Sequence, residues 1–359
     1  MKLIFTDFVE DIINYKMVFS FILFYIFALF AEQLKSNDKK SVLIITCVVM
    51  AVLAGFRDTS WNDTGVYVIS FEDYTNPLYV WSQLDKPFGY SEYGFYFLGV
   101  IFKTFSSNTT AYLTFIAALT FIFMYKDFKR YCYYPLFGVA AYISRFYIAR
   151  NFMQIRAGLS YAIVLWAVQY ISKRDWKRYF LWVLLAMQFH TSAVIAVPLY
   201  FLCLVRLKRW HIWTGIAVAF ILGGIFTEPV RNLVADYASD IASTYVSDDE
   251  VYQREWGLLN PVIYFQLAVL YLYTQNEEVL KYTSEDYYTL RTAYFYSTFI
   301  LISVSMYTAL SGRTSSMFST LEMAIIPPIL NTFSKRNRFI GFIGLGIVLT
   351  AIFYMNISK

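Results

Sequence analysis

The chain has 359 residues, 58% hydrophobic and 21% aromatic but only 15% charged, where a soluble domain carries about a quarter charged residues. With a mean hydropathy of +0.48, this balance excludes a soluble globular protein and indicates an integral membrane protein. The net charge of +5 gives no reason to expect nucleic acid, because the lysines and arginines gather in short connectors between apolar runs, as in cytoplasmic loops.

In chain order, residues 1–16 come first, with Asp7, Glu10 and Asp11 among apolar residues and no small-residue cleavage site after the following run. They read as an interfacial helix and not as a cleavable signal. Apolar runs then recur at 17–34, 41–56, 109–125, 133–149, 155–171, 179–189, 192–205, 212–227, 258–274, 292–310, 316–333 and 339–355. Each is long enough, or nearly so, to cross a hydrocarbon core of about 30 Å, which predicts about twelve crossings. The runs lack two-residue alternation, and in hydrocarbon every backbone amide needs a partner within its own segment. An all-α, polytopic helical bundle is therefore expected, not a barrel. Cys47, Cys132 and Cys203 lie in or beside these runs at spacings that match no metal motif, and read as packing residues.

Orientation follows from the charges. The connectors 35–40, 126–130, 173–178, 206–209 and 335–338 are short and basic, so all five are expected in the cytoplasm. The intervening connectors 57–108 and 228–257 are long; the second carries Glu228, Asp236, Asp240, Asp248, Asp249, Glu250 and Glu255. Both are expected outside. The apolar stretch 92–105 would invert this order if it crossed, so it is expected to be re-entrant or interfacial. Basic connectors flank 180–205 on both sides, which requires two short limbs turning at "FHTS" (189–192), with Pro198 able to kink the second. No repeat or linker composition divides the chain, so it is read as one domain.

Polar residues then collect on the outer side: Arg57, Asp58, Asp63 and Glu92 in the first external loop; Arg145, Arg150, Gln154 and Arg156 at an outer turn between helices ending near 144 and beginning near 155; His190 at the hairpin turn; and Arg313 in "SGRTSS". Helices starting near 151, 191 and 314 would point free N–H groups and positive dipole ends at this surface, with Thr191, Ser311 and Thr314 as caps. Guanidinium forks added there suit a pyrophosphate, with no metal required. Other readings stand beside this one. Arg145 and Arg150 also fit snorkelling interface residues, Asp58 and Asp63 fit turn caps or arginine partners, and His190 fits either a packed histidine or a general base. Glu322 falls within the bilayer, where it must pair with an arginine or stay protonated. The acidic run 248–250 is most simply solvated surface.

The order of motifs — Arg57, then Asp63-Thr64 with Tyr67, then Glu92-Tyr93-Gly94-Phe95, then Gln154-Ile155-Arg156-Ala157, then residues 186–193 around His190 — resembles the EpsG-like and Wzy-type bacterial polysaccharide polymerases. The likeness runs from about 50 to 205, with weaker agreement at Arg313 and "IIPP" (325–328), and departs from the family pattern at Trp61, Ala157 and Ser160. It implies a GT-C-like membrane glycosyltransferase at the periplasmic face of a bacterial inner membrane. Such an enzyme moves a growing glycan from undecaprenyl pyrophosphate to the non-reducing end of a lipid-linked repeat unit, as in O-antigen or capsule assembly, without a cofactor. The implied catalytic residues are His190 or Asp63. Arg57, Arg150, Arg156 and Arg313 are assigned to pyrophosphate, and Tyr67, Glu92, Gln154 and Glu322 to substrate binding. The implied partners are the bilayer, the lipid-linked donor and acceptor, and, among proteins, a chain-length regulator and a flippase. An O-antigen ligase or related polyprenyl-phosphosugar transferase shares this chemistry. A lipid-linked-oligosaccharide flippase would instead want charges at several depths along a central path.

Overall fold

A computed structural model describes residues 2–73, 92–225 and 257–358, and among them there are helices and no strand. Parts of both long connectors, 57–108 and 228–257, with the acidic run 248–250, lie outside the described residues. Helices α1 (Lys2–Ala31) and α2 (Ser36–Gly55) are followed by two short ones, α3 (Thr64–Asp73) and α4 (Tyr93–Lys103). Then come α5 (Thr109–Tyr131), α6 (Pro135–Tyr142), which continues as a π-helix (Ile143–Met153), and α7 (Ile155–Ser172). The hairpin consists of α8 (Trp176–Met187) and a 3-10 turn (Thr191–Ile195) leading into α9 (Ala196–Leu202). The remainder is α10 (Arg209–Ile225), α11 (Pro261–Gln275), α12 (Glu277–Leu280), α13 (Tyr287–Ser303), α14 (Thr308–Ser319), α15 (Glu322–Ile329) and α16 (Lys335–Ile357).

Among the described residues, three stretches are long and apolar enough to cross a membrane by length and composition: Asn14–Ala31, Thr109–Tyr131 and Lys335–Ile357. Their outward residues are large and apolar, as with Phe19, Phe30, Ile122 and Ile347, each more than half exposed, which suits lipid as solvent. The largest side chains buried inside are nearly all tyrosine and phenylalanine. Eleven residues of α4 rise only about 16 Å, too short to cross. It sits with α3 and α5 in a separate apolar cluster around Tyr67, Phe71, Phe95 and Tyr112.

The basic connectors meet at one end. Lys39 pairs with Glu32 at 2.9 Å, and Glu32 accepts the Leu136 N–H. Arg130 pairs with Asp286 at 2.9 Å, Tyr134 donates to Asn331, and Arg174 donates to the Leu204 carbonyl. Arg291 reaches both Glu277 and the Leu207 carbonyl. The sequence placed these connectors on one side, and their contacts agree.

Three expectations change. The interfacial helix over 1–16 is not a separate element, because α1 runs unbroken from Lys2 to Ala31. Arg145 is not at an outer turn: the helix from Pro135 does not end near 144 but rewinds as π and reaches Met153. Arg313 is not at a helix start. Helix α14 begins at Thr308, and its hydroxyls turn back onto their own helix, Thr314 to the Leu310 carbonyl and Ser315 to the Ser311 carbonyl. A hydroxyl can bond to the preceding turn without ending a helix, which is why "SGRTSS" looks like a turn in sequence.

Candidate functional site

Opposite the basic connectors, Asp63, Tyr67, Gln154, Arg156, Ala157, Tyr161, His190 and Arg313 line a small polar pocket of about 30 Å³, room for one water-sized group. They come from the start of α3, the start of α7, the hairpin turn and α14. Four elements distant in sequence therefore supply one wall each.

Asp63 precedes α3 in a left-handed conformation, φ +64°. Aspartate tolerates this better than most residues because its short polar side chain avoids the clash. Strain of this kind collects at functional sites. The reversal brings Thr64 inward, where its hydroxyl donates to the Phe152 carbonyl at 2.9 Å and accepts from Arg57 Nε at 3.2 Å. Among the described residues the Asp63 carboxylate has no hydrogen-bond or ion-pair partner, and the residue is exposed. Asp58 is spent on its own turn, accepting from Thr59 Oγ1 and the Ser60 N–H.

Glu92 stands behind the pocket, 5% exposed. One oxygen pairs with Arg156; the other accepts the Thr191 N–H at 3.1 Å and its hydroxyl at 3.0 Å. Burial alone would raise its pKa, but Arg156, His190 and the two Thr191 bonds together hold it below the ordinary carboxylate value. Glu92 thus ties α4, α7 and the hairpin turn together and fixes the direction of Arg156. The N–H groups at 191 and 192 are thereby filled from within the protein, contrary to the expectation of a free helix start there. The cap is His190, not Thr191, since Nδ1 accepts the Ser192 N–H at 3.2 Å.

That bond favours one tautomer. A backbone N–H can only donate, so Nδ1 carries the lone pair and the proton of neutral His190 sits on Nε2. Burial, helped by Arg156, Arg150 and Arg313 and opposed by Glu92, pushes the pKa from 6.5 down to about 4. His190 is therefore a neutral N–H donor beside the pocket. Nδ1 also contacts Ser192 Oγ at 2.6 Å, Ser192 Oγ contacts the Tyr161 hydroxyl at 2.9 Å, and that hydroxyl donates to the Arg313 carbonyl at 2.9 Å.

Arg150 lies one layer behind, 6% exposed. It bonds Gln154 Oε1 at 2.5 Å and the Ser316 hydroxyl, and its guanidinium stands 4.5 Å over the Tyr161 ring. A side chain at Gly158 would meet the Arg150 carbonyl at 2.2 Å, so glycine is what lets the π-helix end press against α7. Arg57 faces away from this pocket, into a large apolar cavity. Glu322 does not line this pocket. It accepts from Arg145 at 2.5 and 2.6 Å and from the Tyr294 hydroxyl at 3.0 Å, deep in the bundle. This satisfies the expected arginine partner and assigns Arg145 to packing.

Tyr161 and Ser316 were not singled out from sequence, and Thr64 and Ser192 entered only as members of motifs. Tyr161 had a usable signal, because 154, 157 and 161 share one face of a helix; the other three are ordinary hydroxyls whose partners are far away in sequence. Among the described residues no three His, Cys, Asp or Glu side chains gather where a metal ion would fit.

The model of the EpsG family matches residues 40–359. No curated protein and no solved structure matches the chain.

Proposed function

Because the chain belongs to the EpsG family of polysaccharide polymerases, we propose that it is a polytopic inner-membrane glycosyltransferase that extends a glycan on undecaprenyl pyrophosphate from the periplasmic side. The observation that carries this reading is the convergence of an unencumbered carboxylate, a neutral imidazole donor and guanidinium groups on one polar pocket at the end of an all-helical bundle, opposite the basic connectors. In the proposed fold the helices make twelve crossings in a GT-C-like arrangement, and the positive-inside rule puts the pocket outside.

The reaction needs three things from the protein. Asp63 takes the proton from the acceptor hydroxyl as its oxygen bonds the anomeric carbon of the donor glycan. The bond from that carbon to the pyrophosphate oxygen breaks, leaving undecaprenyl pyrophosphate. Arg156 and Arg313 stabilise the negative charge appearing on the leaving oxygen, the part a metal ion would otherwise take. His190, with its proton on Nε2, donates to a sugar or phosphate oxygen; of the two bases expected from sequence, its geometry favours Asp63. Tyr67 and Gln154 complete the substrate wall, while Glu92 and Arg150 position Arg156 and Gln154. Pairing of Glu322 with Arg145 leaves the first without a substrate role in this reading.

Electrophoresis of surface polysaccharide from a deletion strain tests it. Polymer is expected to collapse to single repeat units and to return with the wild-type gene. Complete absence of glycan on the lipid A core would indicate a ligase instead, and an unchanged ladder would sink the polymerase reading.

A further inference from the structure

An apolar cavity of about 650 Å³ lies between α1 and α2 and is floored by the π-helix and α16. Helices joined by so short a connector (32–35) ordinarily pack on each other. Here α1 packs on α6 and α16 while α2 packs on α5, so the two diverge and leave a slot. From Val42 to Leu53 it follows α2 for about 16 Å. Its walls are largely apolar, with Phe21 and Phe24 on one side and Ile45 and Val49 on the other, and the hydroxyls of Ser20 and Thr46 turn back onto the Lys16 and Val42 carbonyls of their own helices. The one hydroxyl projecting from the floor, that of Tyr147, is occupied by the Met50 carbonyl at 2.7 Å.

A single charge closes the slot. Arg57 is 8% exposed, and donates through Nε to Thr64 Oγ1 and through Nη1 to the Ala54 carbonyl at 2.7 Å. Both acceptors are neutral, so the positive charge is oriented but not cancelled. Burial lowers its pKa only to about 10, so it remains a cation at neutral pH. Nη2 is buried and has no hydrogen-bond partner among the described residues, and such a donor is costly to leave unmet. Trp61, which stacks edge-on against Phe152 at 5.2 Å, stands beside it at the mouth. The stretch 57–64 is thus a partition, with Arg57 on the apolar side and Asp63 on the polar side, joined through Thr64.

We infer that this slot seats the polyprenyl chain of a lipid-linked substrate, with an oxygen of its pyrophosphate on Arg57. The apolar walls match the hydrocarbon, the uncancelled guanidinium matches the anion, and the partition delivers the attached sugar toward Asp63. One wall, α1, precedes the residues that match the family model. The inference rests on the polymerase reading for the identity of the lipid.

Native mass spectrometry of the full-length protein in detergent, with undecaprenyl pyrophosphate and phosphatidylglycerol as probes, tests it. Undecaprenyl pyrophosphate should bind the wild type in preference to phosphatidylglycerol. Its affinity should fall about tenfold or more in Arg57→Gln, which loses the charge, and in Val49→Trp, which fills the slot. Val49 is half exposed on the slot wall, so the second variant tests the site even where the first does not fold. Equal binding by wild type and Val49→Trp, or equal displacement by phosphatidylglycerol, overturns the inference. Lipid binding that follows these variants in a protein whose deletion leaves the polysaccharide ladder unchanged would sink the polymerase reading and keep the slot. A collapsed ladder with no selective lipid binding would do the reverse.

Discussion

At one end of the bundle Arg130 and Arg291 close onto Asp286 and Glu277, while at the other Arg57 and Arg150 close onto hydroxyls, a carbonyl, an amide oxygen and a ring. Both kinds of partner fix the direction of a guanidinium, but only a carboxylate cancels its charge. The basic end is therefore cross-linked and close to neutral in its interior, consistent with a purely structural role. At the pocket end the partners of Arg57 and Arg150 are neutral, so their charge is oriented but not cancelled, which suits an anion there. A bound pyrophosphate would complete that end in the way Glu277 completes the other.

The sharpest way to break the comparison is to remove the carboxylate that faces the pocket. Asp63→Asn preserves the tolerance for a left-handed backbone and removes the base. Polymer formation by purified protein should fall by about 10²- to 10⁴-fold with the melting temperature nearly unchanged; retention of full activity would exclude Asp63 as the base. Glu92→Gln and Arg291→Met come next, because each breaks a buried pair, at a cost of about 3–5 kcal/mol where one charge is left uncompensated. Their effects should diverge. Per folded molecule, Glu92→Gln loses at least about tenfold in rate as Arg156 loses its direction, whereas Arg291→Met keeps the wild-type rate.

The pH response is smaller. In the folded protein His190 has a pKa of about 4, below its ordinary 6.5, so the folded state resists the proton that the unfolded state accepts. Its contribution to stability is thus fully present above about pH 6.5 and is lost as the pH falls from there toward about 4. With His190 neutral throughout, the rate should be flat from about pH 5.5 to about pH 8. An acid limb centred near 6.5 would restore His190 as the base. For sidedness, a cysteine at position 63 should react with an impermeant thiol reagent in intact, outer-membrane-permeabilised cells. Protection there with labelling at 175 would place the comparison upside down in the membrane.

Much of the fold was legible because short lysine- and arginine-rich connectors interrupt long apolar runs, and two neighbouring connectors of one sign force a hairpin between them. The hairpin turn expected at 189–192 from that rule lies between Met187 and Thr191. The pocket was legible as a set of outer-side polar residues but not as a geometry. Nothing local to Arg57 and Asp63 says that two residues six positions apart face different compartments. Arg145 and Glu322 are 177 positions apart, and only packing reveals that they neutralise each other. The tautomer of His190 depends on one backbone N–H, which composition and spacing do not encode.

The π-helix from Ile143 to Met153 carries Arg145 near its start and Arg150 near its end. At about 100° per residue an α-helix would set these two, five positions apart, about 140° from each other. With i→i+5 bonding and about 4.4 residues per turn, the angle shrinks to about 50°. Both arginines consequently look toward α14 and α15, one reaching Glu322 and the other Ser316. Winding is thus a phase control: a single-residue deletion that let this segment relax to α would swing Arg150 away from Gln154 and Tyr161 while changing no residue that lines the pocket.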